Sequence, residues 1–303
     1  MAEKKRFFYG WLILLTCILI MGLGYAPLVS CASLFTKPVT EDLGFTRSGY
    51  ALVSTIAALM MAFMSPFIGK IMSKPYMHKA LVVCMIGNCL AYYCYSFAST
   101  LPQFYVTAAC IGFFECGSTM IPVSVLITNW FRKKRGLVMS IAMVGSSIGG
   151  TILSPIIGNL IASQGWRFTY KAVGITRLVI LVPLVLLVIR RTPADMGTKA
   201  YGADEEGKTG KARKTEREWN VSLKEVKKKP MFWCFVLGCT LISATAAVIT
   251  QIPASVMDAG YATTTAASIA SLYLFIAIPG KLVLGHIYDL SLIHISEPTR
   301  LQL

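Results

Sequence analysis

Residues 130–167 read WFRKKRGLVMSIAMVGSSIGGTILSPIIGNLIASQGWR. Four consecutive cations, Arg132, Lys133, Lys134 and Arg135, are followed by a run from Gly136 to Gly165 that holds no charged residue. A run of that length crosses a hydrocarbon core of about 30 Å as a single helix. Small residues recur along it at close helical spacing: Gly145, Ser146, Ser147, Gly149, Gly150, Ser154 and Gly158. Lipid tails are as apolar as leucine, so membrane helices associate where small side chains let their backbones approach. The stretch therefore predicts a membrane helix packed closely on a neighbour.

Composition agrees. Hydrophobic residues make up 55% of the 303 and charged ones 14%, against about 25% charged in a soluble domain. The net charge of +15 does not read as a nucleic-acid footprint, because the cations sort into alternate loops as the positive-inside rule requires. The head Met1–Arg6 is basic, which predicts a cytoplasmic N-terminus. The nine cysteines lie in apolar segments without CxxC or His-pair spacing, so no metal site or disulfide framework is indicated. No catalytic triad or phosphate loop is present, and nothing calls for a cofactor or argues for an enzyme.

Taken in order, Trp130, Phe131, Arg135, Gly136, Gly145, Gly149, Gly150, Pro155, Gly165, Trp166 and Arg167 resemble the fourth-to-fifth helix junction of the major facilitator superfamily. More narrowly, they resemble the branch of oxalate/formate exchangers and monocarboxylate transporters. The resemblance implies an all-α membrane protein with the major facilitator fold, in which two six-helix half-bundles rock about a midplane site. It implies a small organic anion, a mono- or dicarboxylate, moved as antiport or proton symport by a monomer in the plasma or inner membrane. A facilitator for a drug or sugar, and a non-transporting sensor or inert fragment, stay open as alternatives.

Along the chain, the first span covers about residues 9–33 and is interrupted by Gly22, Gly24 and Pro27, which places Tyr25 either on a central cavity or simply beside a kink. Residues 35–48 read as a loop ending in a Thr46 cap, and the second span covers about 49–69. Gly69 and Lys74 then keep part of the superfamily's Gly-x-x-x-Asp-Arg/Lys loop signature, with Ser73 in place of the aspartate. His78 reads as a solvated loop residue before a third span at about 80–98. The fourth span, about 104–129, carries Glu115, the one acid well inside any span. An ionisable group at that depth is a functional-site hypothesis. Glu115 is either a proton-coupling carboxylate or a group bonded within the bundle.

Arg167 and Lys171 read as an outer loop before the sixth span, about 172–189. Within that span Arg177 either snorkels to the interface or faces a cavity. Residues 190–229 hold twelve Lys/Arg against seven Asp/Glu and read as a disordered cytoplasmic linker between a half-bundle at 1–189 and the first two helices of a second at 230–289. The seventh span covers about 231–253 and the eighth about 262–286. In the eighth, Gly285 and Asp289 repeat the signature spacing, and Arg135, Gly136, Gly285 and Asp289 join Gly69 and Lys74 as expected gate-loop residues. In the resembling branch, the position four before that glycine holds an arginine that pairs with the substrate carboxylate. Here it is Lys281, which keeps the charge and loses the guanidinium fork; snorkelling to the inner face is the alternative. The chain thus accounts for six plus two of an expected six plus six spans. Residues 290–303, with His294, Glu297 and Arg300, read as a non-native tail.

Overall fold

A computed structural model describes residues 8–202 and 223–296, so the basic head, the middle of the linker and residues 297–303 lie outside the described residues. Among those described, seven helical runs are long and apolar enough to cross a membrane. One of them, Arg135–Val188, has 54 residues and is broken at Gly165, where φ 80° and ψ 166° reverse the chain. Eight crossings result. This is an all-α, multi-pass integral membrane protein.

The first crossing begins as α1 (Gly10–Leu19), widens into a π-helix at Ile20–Tyr25 and resumes as α2 (Ala26–Val29). Beyond a short 3-10 turn, α3 (Thr36–Leu43) follows. The sequence places a loop there; the chain instead stays helical up to Gly44, whose left-handed φ of 66° ends α3. α4 (Arg47–Met72) starts where Thr46 caps it, its hydroxyl accepting from the Gly49 N–H at 3.2 Å. α5 (Met77–Cys94) takes in His78, which is not simply solvated: a ring nitrogen lies 3.1 Å from the Val185 carbonyl oxygen.

The fourth crossing is two helices, α6 (Leu101–Ser118) and α7 (Met120–Trp130), broken at Thr119 just beyond Glu115. The Thr119 hydroxyl donates to the Glu115 carbonyl at 2.9 Å. α8 (Arg135–Val188) supplies the fifth and sixth crossings as two limbs. Arg167 and Lys171 are not in an outer loop, because the second limb begins directly after Gly165 and both sit in its first turns. There Trp166 donates from Nε1 to Asp42 at 3.1 Å, while the Arg167 guanidinium lies 4.4 Å from the Trp166 ring centre.

The segment that leaves α8 is ordered at its start. Trp130 and Asn129 donate to the carbonyls of Arg190 and Arg191 at 2.9 and 3.2 Å, and Tyr201 exchanges backbone hydrogen bonds with Trp130 and Arg132. Residues 190–202 are therefore docked on the basic end of the bundle by the Trp-Phe pair that opens the decisive stretch. α9 (Leu223–Val226) precedes α10 (Pro230–Thr250), α11 (Ile252–Asp258) and α12 (Thr263–Ser296). None of α10's residues is buried, whereas α12 lies along the first limb of α8. The small residues of that limb serve two neighbours. A Cβ on Gly149 would fall on the backbone of Gly22 in the first crossing. One on Gly158 would come within 2.6 Å of Ala267 in α12.

Candidate functional site

Two polar constellations interrupt this apolar bundle. The first runs down the seam between α12 and the first limb of α8. Ser271 donates to the Thr151 carbonyl at 2.7 Å. Nearly three turns on, the half-buried Lys281 ammonium donates to the Ser146 hydroxyl at 2.8 Å and the Met143 carbonyl at 3.2 Å. Lys281 therefore does not snorkel to the end of its helix. It is held sideways by the fifth crossing, and Ser146 offers it a hydroxyl because small residues keep the two helices close. Next comes Gly285, where a Cβ would collide with the Ser140 side chain. Asp289 closes the seam by accepting the backbone N–H groups of Gly136 and Leu137 at 2.9 and 2.8 Å.

A helix N-terminus has orphan N–H donors and the positive end of the macrodipole, so a carboxylate satisfies both. Arg135 beside it is exposed and turns its Nε onto the Phe131 carbonyl at 2.9 Å. The other loop signature is built differently. Lys74 is exposed in the turn between α4 and α5, and the carbonyl of Ser73, at the place of the usual aspartate, accepts from Arg191 at 2.7 Å. Gly69 lies in the last turn of α4 with nothing within 4 Å of a Cβ built on it.

The second constellation lies inside the first six crossings and centres on Arg177. The reading of Arg177 as a snorkelling residue is corrected by its 1% exposure. Its Nη2 donates to the Gly24 carbonyl at 2.8 Å and to the side-chain oxygen of Asn88, and its guanidinium sits 4.9 Å from the Tyr92 ring centre. Glu115 is buried within electrostatic reach of Arg177 and of Tyr25, though no ion pair joins it to the arginine. The π-helical turn puts the Gly24 carbonyl in this place, since a π turn displaces one backbone carbonyl from the regular ladder.

The two constellations are separate: no bond or ring contact joins Tyr25 or Glu115 to Lys281 among the described residues. Asn88, Tyr92 and Arg177 carry no sequence signal as a set, being 89 residues apart at the extremes on two different crossings. The one available cue was an arginine five residues inside a span.

Residues 12–296 match the Major Facilitator Superfamily. The chain belongs to that superfamily. It is similar to human monocarboxylate transporter 2, with 25% identity over 229 residues that cover 74% of this chain and 45% of the relative. It is similar also to chicken monocarboxylate transporter 4, at 26% identity over 55% of this chain and 35% of that one. The Aspergillus niger MFS-type transporter pynF shares 27% over 61% and 43%. The chain thus spans less than half the length of these curated relatives. Among solved structures, a bacterial homolog of the human lysosomal transporter Spinster, in an inward-facing and unoccupied conformation, superposes with a TM-score of 0.71 over 92% of this chain and 62% of that one. At 18% identity, that likeness speaks to the fold alone.

Proposed function

We propose that this superfamily member belongs to a secondary transporter that moves a small organic anion, a mono- or dicarboxylate, by alternating access, as antiport or proton symport. Residues 1–189 form one half-bundle and 230–289 open the second, with the N-terminus on the cytoplasmic side and the protein working as a monomer. The observation that carries the reading is Lys281, a cation held below the surface in the seam between the two halves by a hydroxyl and one carbonyl. Those partners are neutral, so the positive charge is uncompensated and an anion is its natural counterpart. The names of the monocarboxylate-transporter relatives point to the same substrate class. Tyr25 lines the path from the first crossing, Glu115 exchanges the coupling proton, and Gly69, Lys74, Arg135, Gly136, Gly285 and Asp289 belong to the gate loops at the basic end.

The test is uptake of labelled oxalate, formate and lactate by cells expressing the gene, with and without Lys281→Ala. Uptake that depends on Lys281 and is partly restored by Lys281→Arg supports the reading. Undiminished uptake in Lys281→Ala would remove the site and turn attention to an uncharged solute.

A further inference from the structure

Resting on the anion reading just given, we infer that Arg177, Asn88 and Tyr92 form a second anion subsite, inside the first half-bundle, which takes the carboxylate of a small organic acid and is open when Glu115 carries a proton. The argument starts from unmet hydrogen bonds. A guanidinium has five N–H donors and is never deprotonated in a protein. Here Nη2 is engaged, while Nε and Nη1 are buried without a partner, as are the Asn88 amide nitrogen and the Tyr92 hydroxyl. Native interiors leave few polar groups unmet, and a cluster of them needs an explanation. These four atoms belong to three side chains already in contact around one cation, and all four can donate. What would satisfy them together is an acceptor-rich ligand, and the fixed positive charge selects an anion.

Among the described residues, the only full negative charge within reach is Glu115, whose Oε1 is also buried and unbonded. The other titratable side chains that feel it are Tyr25 of the first crossing, Tyr95 beyond α5 and Cys116 of its own helix. All are neutral at ordinary pH. The first limb of α8 is uncharged from Gly136 to Gly165, and α4 has charges only near its ends. Glu115 and an entering anion therefore compete for the same arginine. An ionised Glu115 repels the anion, a protonated one admits it, and binding one anion favours uptake of one proton. The π turn at Ile20–Tyr25 and the break at Thr119 both lie beside Gly24, whose carbonyl Arg177 binds, and helix irregularities of this kind often mark hinges and functional sites.

The test measures binding of carbon-13-labelled formate to the purified 303-residue chain in lipid nanodiscs, by saturation-transfer NMR in mildly acid and mildly alkaline buffer. Arg177→Gln removes the cation and risks the fold. Asn88→Asp is the safer variant, because it supplies a built-in carboxylate to Arg177 and keeps the packing. Formate affinity that falls about tenfold or more in Asn88→Asp, with an unchanged or raised unfolding temperature, supports the inference. So does binding that is stronger in acid in the wild type but insensitive to pH in Glu115→Gln. Binding to Asn88→Asp equal to wild type overturns it, as does absence of binding at either pH. A pH dependence that survives Glu115→Gln overturns the role of that residue. A Lys281→Gln chain separates the two sites: this signal persists there if the subsite is real, whatever becomes of Lys281-dependent uptake.

Discussion

Asp289 is fastened to the first turn of α8, one carboxylate oxygen 2.9 Å from the Gly136 nitrogen and the other 2.8 Å from that of Leu137. Two residues more than 150 positions apart are thereby joined at the basic end of the seam. A charged acceptor on orphan helix donors contributes roughly 1.5–3 kcal/mol per hydrogen bond. Asp289→Ala is expected to open the seam at this end and lower the unfolding temperature. Cysteine placed at Leu137 would then react faster with a water-soluble maleimide. Equal labelling rates with and without Asp289 would show that the contact does not hold the end closed.

The crossing of the first and fifth crossings is a second sharp target. A Cβ on Gly149 would meet the Gly22 backbone, whereas Gly238 in α10 has nothing within 4 Å of it. Overpacking at such a site costs about 1–3 kcal/mol, and more where backbone is the obstacle. Gly149→Val should therefore destabilise the protein in detergent while Gly238→Ala leaves it unchanged or slightly more stable. Comparable melting curves for the two variants would mean that the helices can separate freely here.

The reversal at Gly165 depends on a backbone conformation with φ 80° and ψ 166°. That region belongs almost entirely to glycine and costs a side-chain-bearing residue of order 1–3 kcal/mol. Gly165→Ala should lower the unfolding temperature even though nothing lies within 4 Å of the added methyl. Wild-type stability in that variant would place the turn elsewhere.

At the end of the bundle opposite the basic loops, Arg47 and Asp258 form an ion pair with side-chain exposures of 51% and 32%. So open a pair contributes on the order of 0.2–1 kcal/mol, and salt screens it. A double-mutant cycle on Arg47→Ala and Asp258→Ala should give a coupling in that range that fades in high salt. A coupling well above it would assign the pair a structural role that its exposure argues against.

Much of this architecture is legible in the sequence. Apolar runs of the right length, loop cations and the Thr46 cap marked the crossings, because lipid tolerates only helices there. Boundaries were less legible. Residues 35–43 look like a loop by composition, yet α3 forms there, with Val39 and Thr40 buried against the far end of the bundle. The break at Thr119 has its cue in Pro122, which has no N–H to give the Ser118 carbonyl, although the composition there reads as one continuous span.

The candidate sites divide along the same line. Glu115 stood out because one acid in an apolar span is visible in a string of letters, and Lys281 because the Gly285–Asp289 spacing pointed back to it. The snorkelling alternative for Arg177 fails for a physical reason. Distance from a span end is a property of the sequence, and near an end it suggests snorkelling. Whether lipid headgroups or a neighbouring helix lie beside that arginine is a property of packing. The first crossing's π turn and Asn88 of the third surround Arg177, and neither can be inferred from its own helix. Sequence alone determined that this chain crosses a membrane about eight times and where its charges sit along each crossing. Only the tertiary structure decided which buried charges have partners, since partnership depends on the crossing of helices distant in the chain.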